Sequence, residues 1–226
     1  MKIIKNIGII AWIMCISFFS FLMITIVLPY LSWEWDVDFL QTKQKIVHLF
    51  HYRTAFYFHI FSSCFILFAG AFLFSKTILK NYSKLHRWSG RIYVLLLLFI
   101  SAPTGMAMAF YANGGWPAKM SFLILCPLWW YCTYMGYRKI RQKNVKEHEM
   151  WMIRSYALTL SAISLRFYQM VLGNSYIDPA TQYVIVSWVS WLGNLIVAEI
   201  FIRYKNRDGR DWKPVAGGRK RDLVVS

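Results

Sequence analysis

The chain has 226 residues, a formal net charge of +16 at pH 7, and a composition that is 58% hydrophobic and 19% aromatic. A soluble domain of this length cannot bury so much apolar surface, so the composition excludes an ordinary soluble protein and indicates an integral membrane protein. The positive charge does not indicate nucleic-acid binding, because no soluble basic domain remains to carry it.

Six segments are long and apolar enough to cross a bilayer, which takes about 20 residues each. In chain order, these predicted spans one to six lie near 7–31, 54–75, 90–111, 119–138, 150–172 and 183–203. We therefore predict an all-α fold, a polytopic membrane bundle of six transmembrane helices that forms a single domain over 1–226. The first segment begins like a signal peptide, but its long apolar stretch favours a retained helix.

Lysine and arginine are distributed unequally between the two sides of the predicted spans. Twenty of the 26 lie on one side: before span one, after or at the end of span six, or in the connections between spans two and three and spans four and five, including the adjoining span ends. Because cytoplasmic loops are enriched in these residues, we predict that both termini are cytoplasmic, in a bacterial inner membrane. We expect a basic cytoplasmic tail at 204–226 near anionic lipid, and an outer segment at 32–52 lying at the interface.

One motif, W-x-x-R-x-Y, occurs twice, each time after a histidine and at the start of a span. The two copies comprise His86, Trp88, Arg91 and Tyr93, and His148, Trp151, Arg154 and Tyr156. The pattern indicates an internal repeat of two helical hairpins. Coincidence is the alternative, because Trp, Arg and Tyr all favour the membrane interface.

Four candidate side chains lie inside predicted spans and away from their ends, where a charge costs about 2.5–3.5 kcal/mol on insertion scales. They are His59, Arg154, Arg166 and Glu199. At a rise of 1.5 Å per residue, His59 and Arg166 have similar depths in the outer half, and Arg154 and Glu199 have similar depths in the inner half. We expect an ion pair between Arg154 and Glu199 that joins two helices.

Span five carries a polar or small face from end to end. Its members are His148, Ser155, Thr159, Ala162, Arg166 and Gln169, at helical spacing. Close packing through small residues, with hydroxyl hydrogen bonds between helices, explains the middle of this face. It does not explain His148 and Arg166, which we therefore interpret as functional.

The histidines that precede the two motif copies are predicted to meet at the inner interface. Two facing histidines between membrane helices can bind a b-type haem, with arginines near the propionates. The candidate cofactor-binding residues are His86, His148, His59, Arg91, Arg154 and Arg166. On this hypothesis His86 and His148 bind the haem iron, and the protein transfers electrons to a quinone or another redox partner. His59 with Arg166 would form an outer site for a second haem, a quinone or a propionate.

Three alternatives remain open at the level of the sequence. His86 and His148 with Glu147 or Glu149 could form a metal site. The polar face of span five could line the path of a small-molecule transporter. The charged residues could also serve only to lock helices in a structural or assembly protein.

Two stretches resemble a known family. They run from Leu85 to Tyr93 (LHRWSGRIY) and from His148 to Thr159 (HEMWMIRSYALT). Both are similar to an uncharacterised bacterial family of multi-pass membrane proteins, domain of unknown function 2306, and the resemblance covers roughly residues 55–172. It implies an integral membrane protein embedded in the lipid bilayer, without an established activity.

Overall fold

A computed structural model of the protein describes residue 18 and residues 21–173 and 176–208, and all regular structure in this part is helical. The predicted all-α class is therefore confirmed for the described residues. In chain order the helices are α1 (Phe21–Ser32), α2 (Phe50–Leu73), α3 (Lys76–Asn81), α4 (Ser83–Leu96), α5 (Ala102–Ala109), α6 (Gly115–Arg141), α7 (Val145–Thr159), α8 (Ser161–Leu172) and α9 (Pro179–Asp208).

Among the described residues, three helical stretches are long and apolar enough to cross a membrane. They are Phe50–Leu73, Ser83–Ala109 and Pro179–Arg207, and they correspond to predicted spans two, three and six. Predicted span four lies within α6, and predicted span five comprises α7 and α8, which meet at Leu160. The start of predicted span one and the tail after residue 208 lie outside the described residues. The number of six spans stays a prediction.

Predicted span three contains a wide helical turn, of the π type, at Leu97–Ser101 between α4 and α5. Pro103 lies two residues after this turn. A proline lacks the N–H of a regular helix, and its ring clashes with the carbonyl four residues earlier. The wide turn accommodates this proline without ending the helix. The Ser101 carbonyl, in the last residue of this turn, accepts a hydrogen bond from His59 of α2.

Helix α7 lies between α2, α6 and α9, and two glycines permit its close approach. A Cβ at Gly70 in α2 would lie 2.3 Å from the Tyr156 ring, and a Cβ at Gly136 in α6 would lie 2.6 Å from the Met152 sulfur. Small residues at such contacts let membrane helices pack closely. The second motif copy is therefore at the centre of the bundle.

The outer segment at 32–52 packs onto one end of the bundle. It contains a short 3₁₀ helix, Asp38–Lys43, and its Leu40 and Val47 are buried against residues of α1 and α2. The ammonium of Lys43 donates hydrogen bonds of 2.5 Å to the Tyr111 carbonyl and to Asn113 Oδ1. We call 32–52 the outer cap and the end that it covers the outer end.

Candidate functional site

The two motif copies share the same local geometry. The Arg91 guanidinium lies over the Trp88 ring at 5.5 Å, and the Arg154 guanidinium lies over the Trp151 ring at 4.7 Å. Both distances are within the range of a cation–π contact. Because the spacing of three residues produces this contact in both helices, the repeat has a structural equivalent in addition to the sequence pattern.

The tyrosine of the first copy is at the centre of a buried hydrogen-bond network. Tyr93 Oη lies 3.1 Å from Ser155 Oγ and 3.2 Å from Thr159 Oγ1. Thr133 contacts Ser155 at 2.7 Å, and the Trp129 indole donates to Thr159 at 3.0 Å. We call these five residues the central hydroxyl layer. They satisfy one another between α4, α6 and α7, so the middle of the polar face of span five is occupied by helix–helix contacts.

The predicted iron ligands approach each other at the inner end. His148 Nδ1 lies 2.8 Å from the Gly136 carbonyl. A carbonyl can only accept, so Nδ1 carries the proton and Nε2 keeps a free lone pair, as in many metal-binding histidines. His86 Nδ1 is buried and has no hydrogen-bond partner among the described residues, and His86 lies within electrostatic range of His148 and Arg87. We call the two histidines the inner site.

The proton state of His148 suits a ligand. This residue lies just before predicted span five, and burial lowers the pKa of its imidazole below the ordinary value, although the Gly136 carbonyl and Glu149 act in the opposite direction. The imidazole is therefore neutral at pH 7, which is the form that binds metals.

The glutamates beside His148 are engaged elsewhere. Glu147 pairs with Lys139, which lowers the pKa of this exposed carboxyl group, and Glu149 pairs with Lys205. The part of the chain that the structure describes contains no cluster of three or more His, Cys, Asp or Glu residues that could bind a metal ion. The alternative of a mixed His/Glu metal site thus lacks its acidic ligands there.

The predicted ion pair between spans five and six is confirmed. Arg154 Nε lies 2.5 Å from one carboxylate oxygen of Glu199, and Arg154 Nη2 lies 3.1 Å from the other. The contact joins α7 to α9. Arg154 is thereby bound on two sides, by a carboxylate and by the Trp151 ring, whereas Arg91 has no ion pair with any described residue.

His59 and Arg166 lie in the same region of the outer half, as their depths predict. His59 Nδ1 lies 2.9 Å from the Ser101 carbonyl, which leaves Nε2 as an acceptor without a partner in the described part. Arg166 Nη1 donates to the Ala162 carbonyl of its own helix at 2.9 Å. His59, Tyr30, Tyr183 and Cys64 are within electrostatic range of its guanidinium. We call these five residues the outer site.

Some of these groups were not predicted from the sequence. The carbonyls of Ser101 and Gly136, which orient the two histidines, are backbone groups without a residue-type signal. Pro103 was a usable clue to the first, because a proline inside a span displaces nearby carbonyls. Tyr30 and Tyr183 come from the ends of other helices, and no periodicity relates them to Arg166.

A family model described as a predicted membrane protein, DUF2306, matches residues 56–202. The match extends past the stretch of roughly 55–172 expected from the motifs and includes Glu199 of the ion pair. No curated protein and no solved structure matches this chain.

Proposed function

This chain belongs to the DUF2306 family of predicted membrane proteins, and on that premise we propose that it is a b-type haem protein that carries electrons in a membrane. The observation that carries the proposal is the pair of imidazoles at the inner site, from two different helices. His148 is held in one tautomer by the Gly136 carbonyl, and His86 has a buried ring nitrogen without a described partner. These are the properties of a bis-histidine site.

The neighbouring side chains fit the rest of a haem. Arg87 is within electrostatic range of His86, and Arg91 lies one turn further along α4 without an acidic partner among the described residues. We assign these two arginines to the propionates, and assign Arg154 to holding α7 against α9. A bound haem would supply a one-electron Fe(III)/Fe(II) couple, with a quinone or another redox protein as the partner.

We propose that the chain crosses a bacterial cytoplasmic membrane six times with both termini in the cytoplasm. The excess of lysine and arginine on one side supports this orientation. In this arrangement the inner site lies at the cytoplasmic surface, and the outer cap lies on the opposite side.

The central hydroxyl layer favours an electron carrier over a transporter. A solute path along span five would need open polar groups, whereas Ser155 and Thr159 are buried and hydrogen-bonded to Tyr93, Thr133 and Trp129. Electron transfer needs no such path.

Substitution of the ligands tests the proposal. The full chain and the variants His86→Ala and His148→Ala would be purified in detergent, and haem content would be measured by absorption and by extraction. We expect each variant to lose at least about tenfold in haem occupancy of the inner site, because one axial bond is lost.

The matched control is His48→Ala, which removes an exposed histidine from the outer cap. It should retain the haem content of the unaltered chain. An unchanged ratio of haem to protein in both inner-site variants, with helical content intact by circular dichroism, would exclude His86 and His148 as ligands.

A further inference from the structure

We propose that Arg166 anchors a second ligand site, in the outer half of the bundle, that binds a carboxylate. This site goes beyond the proposed haem at the inner site and shares no residue with it. The ligand chemistry has two sources, a free organic carboxylate or the propionate of a porphyrin, and both would use the same guanidinium.

Arg166 lacks a counter-charge among the described residues. A guanidinium within a membrane is costly and is nearly always paired. Arg166 has no ion pair with any carboxylate in the described residues, and its recorded hydrogen bond is to the Ala162 carbonyl of its own helix. The acidic residue within a predicted span, Glu199, is bound to Arg154.

Arg166 lies in the outer half of the bundle, among residues of other helices. It lies roughly 9 Å from the end of α8 at 1.5 Å per residue, below the level of the outer cap. Tyr30 of α1, Tyr183 of α9 and Cys64 of α2 lie within electrostatic range of it. Three other helices thus contribute groups around the partly buried Arg166 side chain.

Arg166 has hydrogen-bond donors that its own helix does not use. A guanidinium has five N–H donors in a fixed fork, which matches the two oxygens of a carboxylate. One nitrogen of Arg166 contacts Ala162, which leaves the others. On α2, the Ser63 hydroxyl, one turn from His59 on the same face, is buried without a described partner and can donate to a ligand oxygen. His59 Nε2 is an acceptor, so it binds a carboxylate oxygen only when it carries a proton.

Together these groups favour an anion over a neutral ligand. The central hydroxyl layer has no unpaired charge and satisfies itself, whereas the outer site combines one unmatched positive charge with spare donors. A carboxylate would neutralise the charge and use the guanidinium fork at the same time.

The probe is benzoate, and benzamide is the neutral analogue of the same shape. Binding to the detergent-purified full chain would be measured by calorimetry and by the shift in melting temperature. We expect benzoate to bind and benzamide not to bind. Arg166→Gln should weaken benzoate binding about tenfold or more, because a charge-assisted contact is lost.

Arg166→Lys retains the charge but not the fork, so we expect an intermediate affinity, and this variant decides the question if Arg166→Gln does not fold. The control Arg53→Gln removes an arginine that lies over the Trp35 ring, outside the outer site, and should bind benzoate like the unaltered chain.

A separate measurement distinguishes a porphyrin propionate from a free carboxylate as the ligand. If a propionate occupies the outer site, native mass spectrometry should show a porphyrin that Arg166→Gln loses while His86→Ala and His148→Ala retain it. Failure of the inner-site haem would leave the benzoate result intact, so the two proposals fail separately. The carboxylate site is overturned if neither benzoate binding nor porphyrin retention depends on Arg166.

Discussion

At the scale of single residues, the surroundings of each charged group decide what it is available to do. Arg154 and Arg91 occupy equivalent motif positions and lie over equivalent tryptophans. Glu199 contacts the first through two oxygens, so Arg154 is committed to joining helices. Arg91 keeps its donors because it has no such partner among the described residues. Equal sequence motifs therefore serve unequal roles.

We predict that Glu199→Gln destabilises the bundle by about 1–3 kcal/mol. This cost lies between those of breaking an exposed and a fully buried ion pair, because both side chains are partly exposed. The measurement is a thermal melt with a double-mutant cycle that includes Arg154→Gln. The coupling energy should be favourable to the native pair. Additive effects of the two substitutions would show that the ion pair does not hold α7 to α9.

At the scale of the elements, helix α7 depends on close contacts that only glycine permits. The Tyr156 ring occupies the space beside Gly70, and its hydroxyl donates to the Leu67 carbonyl at 3.1 Å. The ring is thus fixed on two sides and cannot move aside. The contact between α2 and α7 in turn positions the helix that carries His148.

We predict that Gly70→Ala lowers the stability of the bundle by about 1–3 kcal/mol, since a Cβ would overlap the fixed Tyr156 ring. Gly90→Ala is the control, because the new Cβ would lie 3.8 Å from Leu73 Cδ2, an ordinary contact. Melting temperatures of the two variants should differ clearly. Equal melting temperatures would contradict the close packing of α2 on α7.

The outer cap is the second element with a testable physical property. Burial lowers the pKa of Lys43 to about 8, and Lys119 acts in the same direction. In the unfolded chain the same amine has its ordinary pKa near 10.5. Between these two values the unfolded state binds more protons, so the contribution of Lys43 to stability rises with pH and is smallest below pH 8.

We therefore predict a change in the melting temperature of the unaltered chain minus that of Lys43→Met. This difference should increase as the pH rises from 7 to 10. The methionine variant removes the titrating group and keeps most of the apolar stem, so it is the reference for the unaltered chain at each pH. A difference in melting temperature that stays constant or decreases as the pH rises would show that the Lys43 amine is not buried between the outer cap and the bundle.

At the scale of the whole molecule, the sequence predicts the composition of the sites better than their orientation. The depth estimates correctly paired Arg154 with Glu199 and brought His59 near Arg166. They could not predict the central hydroxyl layer, because the packing order of α4, α6 and α7 is not encoded in the period of any one helix. They also could not predict the contact of His59 with the Ser101 carbonyl, because a backbone group carries no residue-type signal.

The bundle thus contains an inner and an outer polar site, separated by hydroxyl groups that bond to one another. This division is the reason why we favour two binding sites over one continuous path. It also explains how one span, which comprises α7 and α8, can contribute His148 to one site and Arg166 to the other.

The most direct test is the iron content and absorption spectrum of the full chain, purified from membranes of cells supplied with a haem precursor. The account predicts a Soret band, a reduced spectrum with the sharp bands of a six-coordinate b-type haem, and roughly one or more haem irons per chain. A folded, helical preparation with neither Soret absorbance nor iron would contradict the assignment of His86 and His148 as haem ligands.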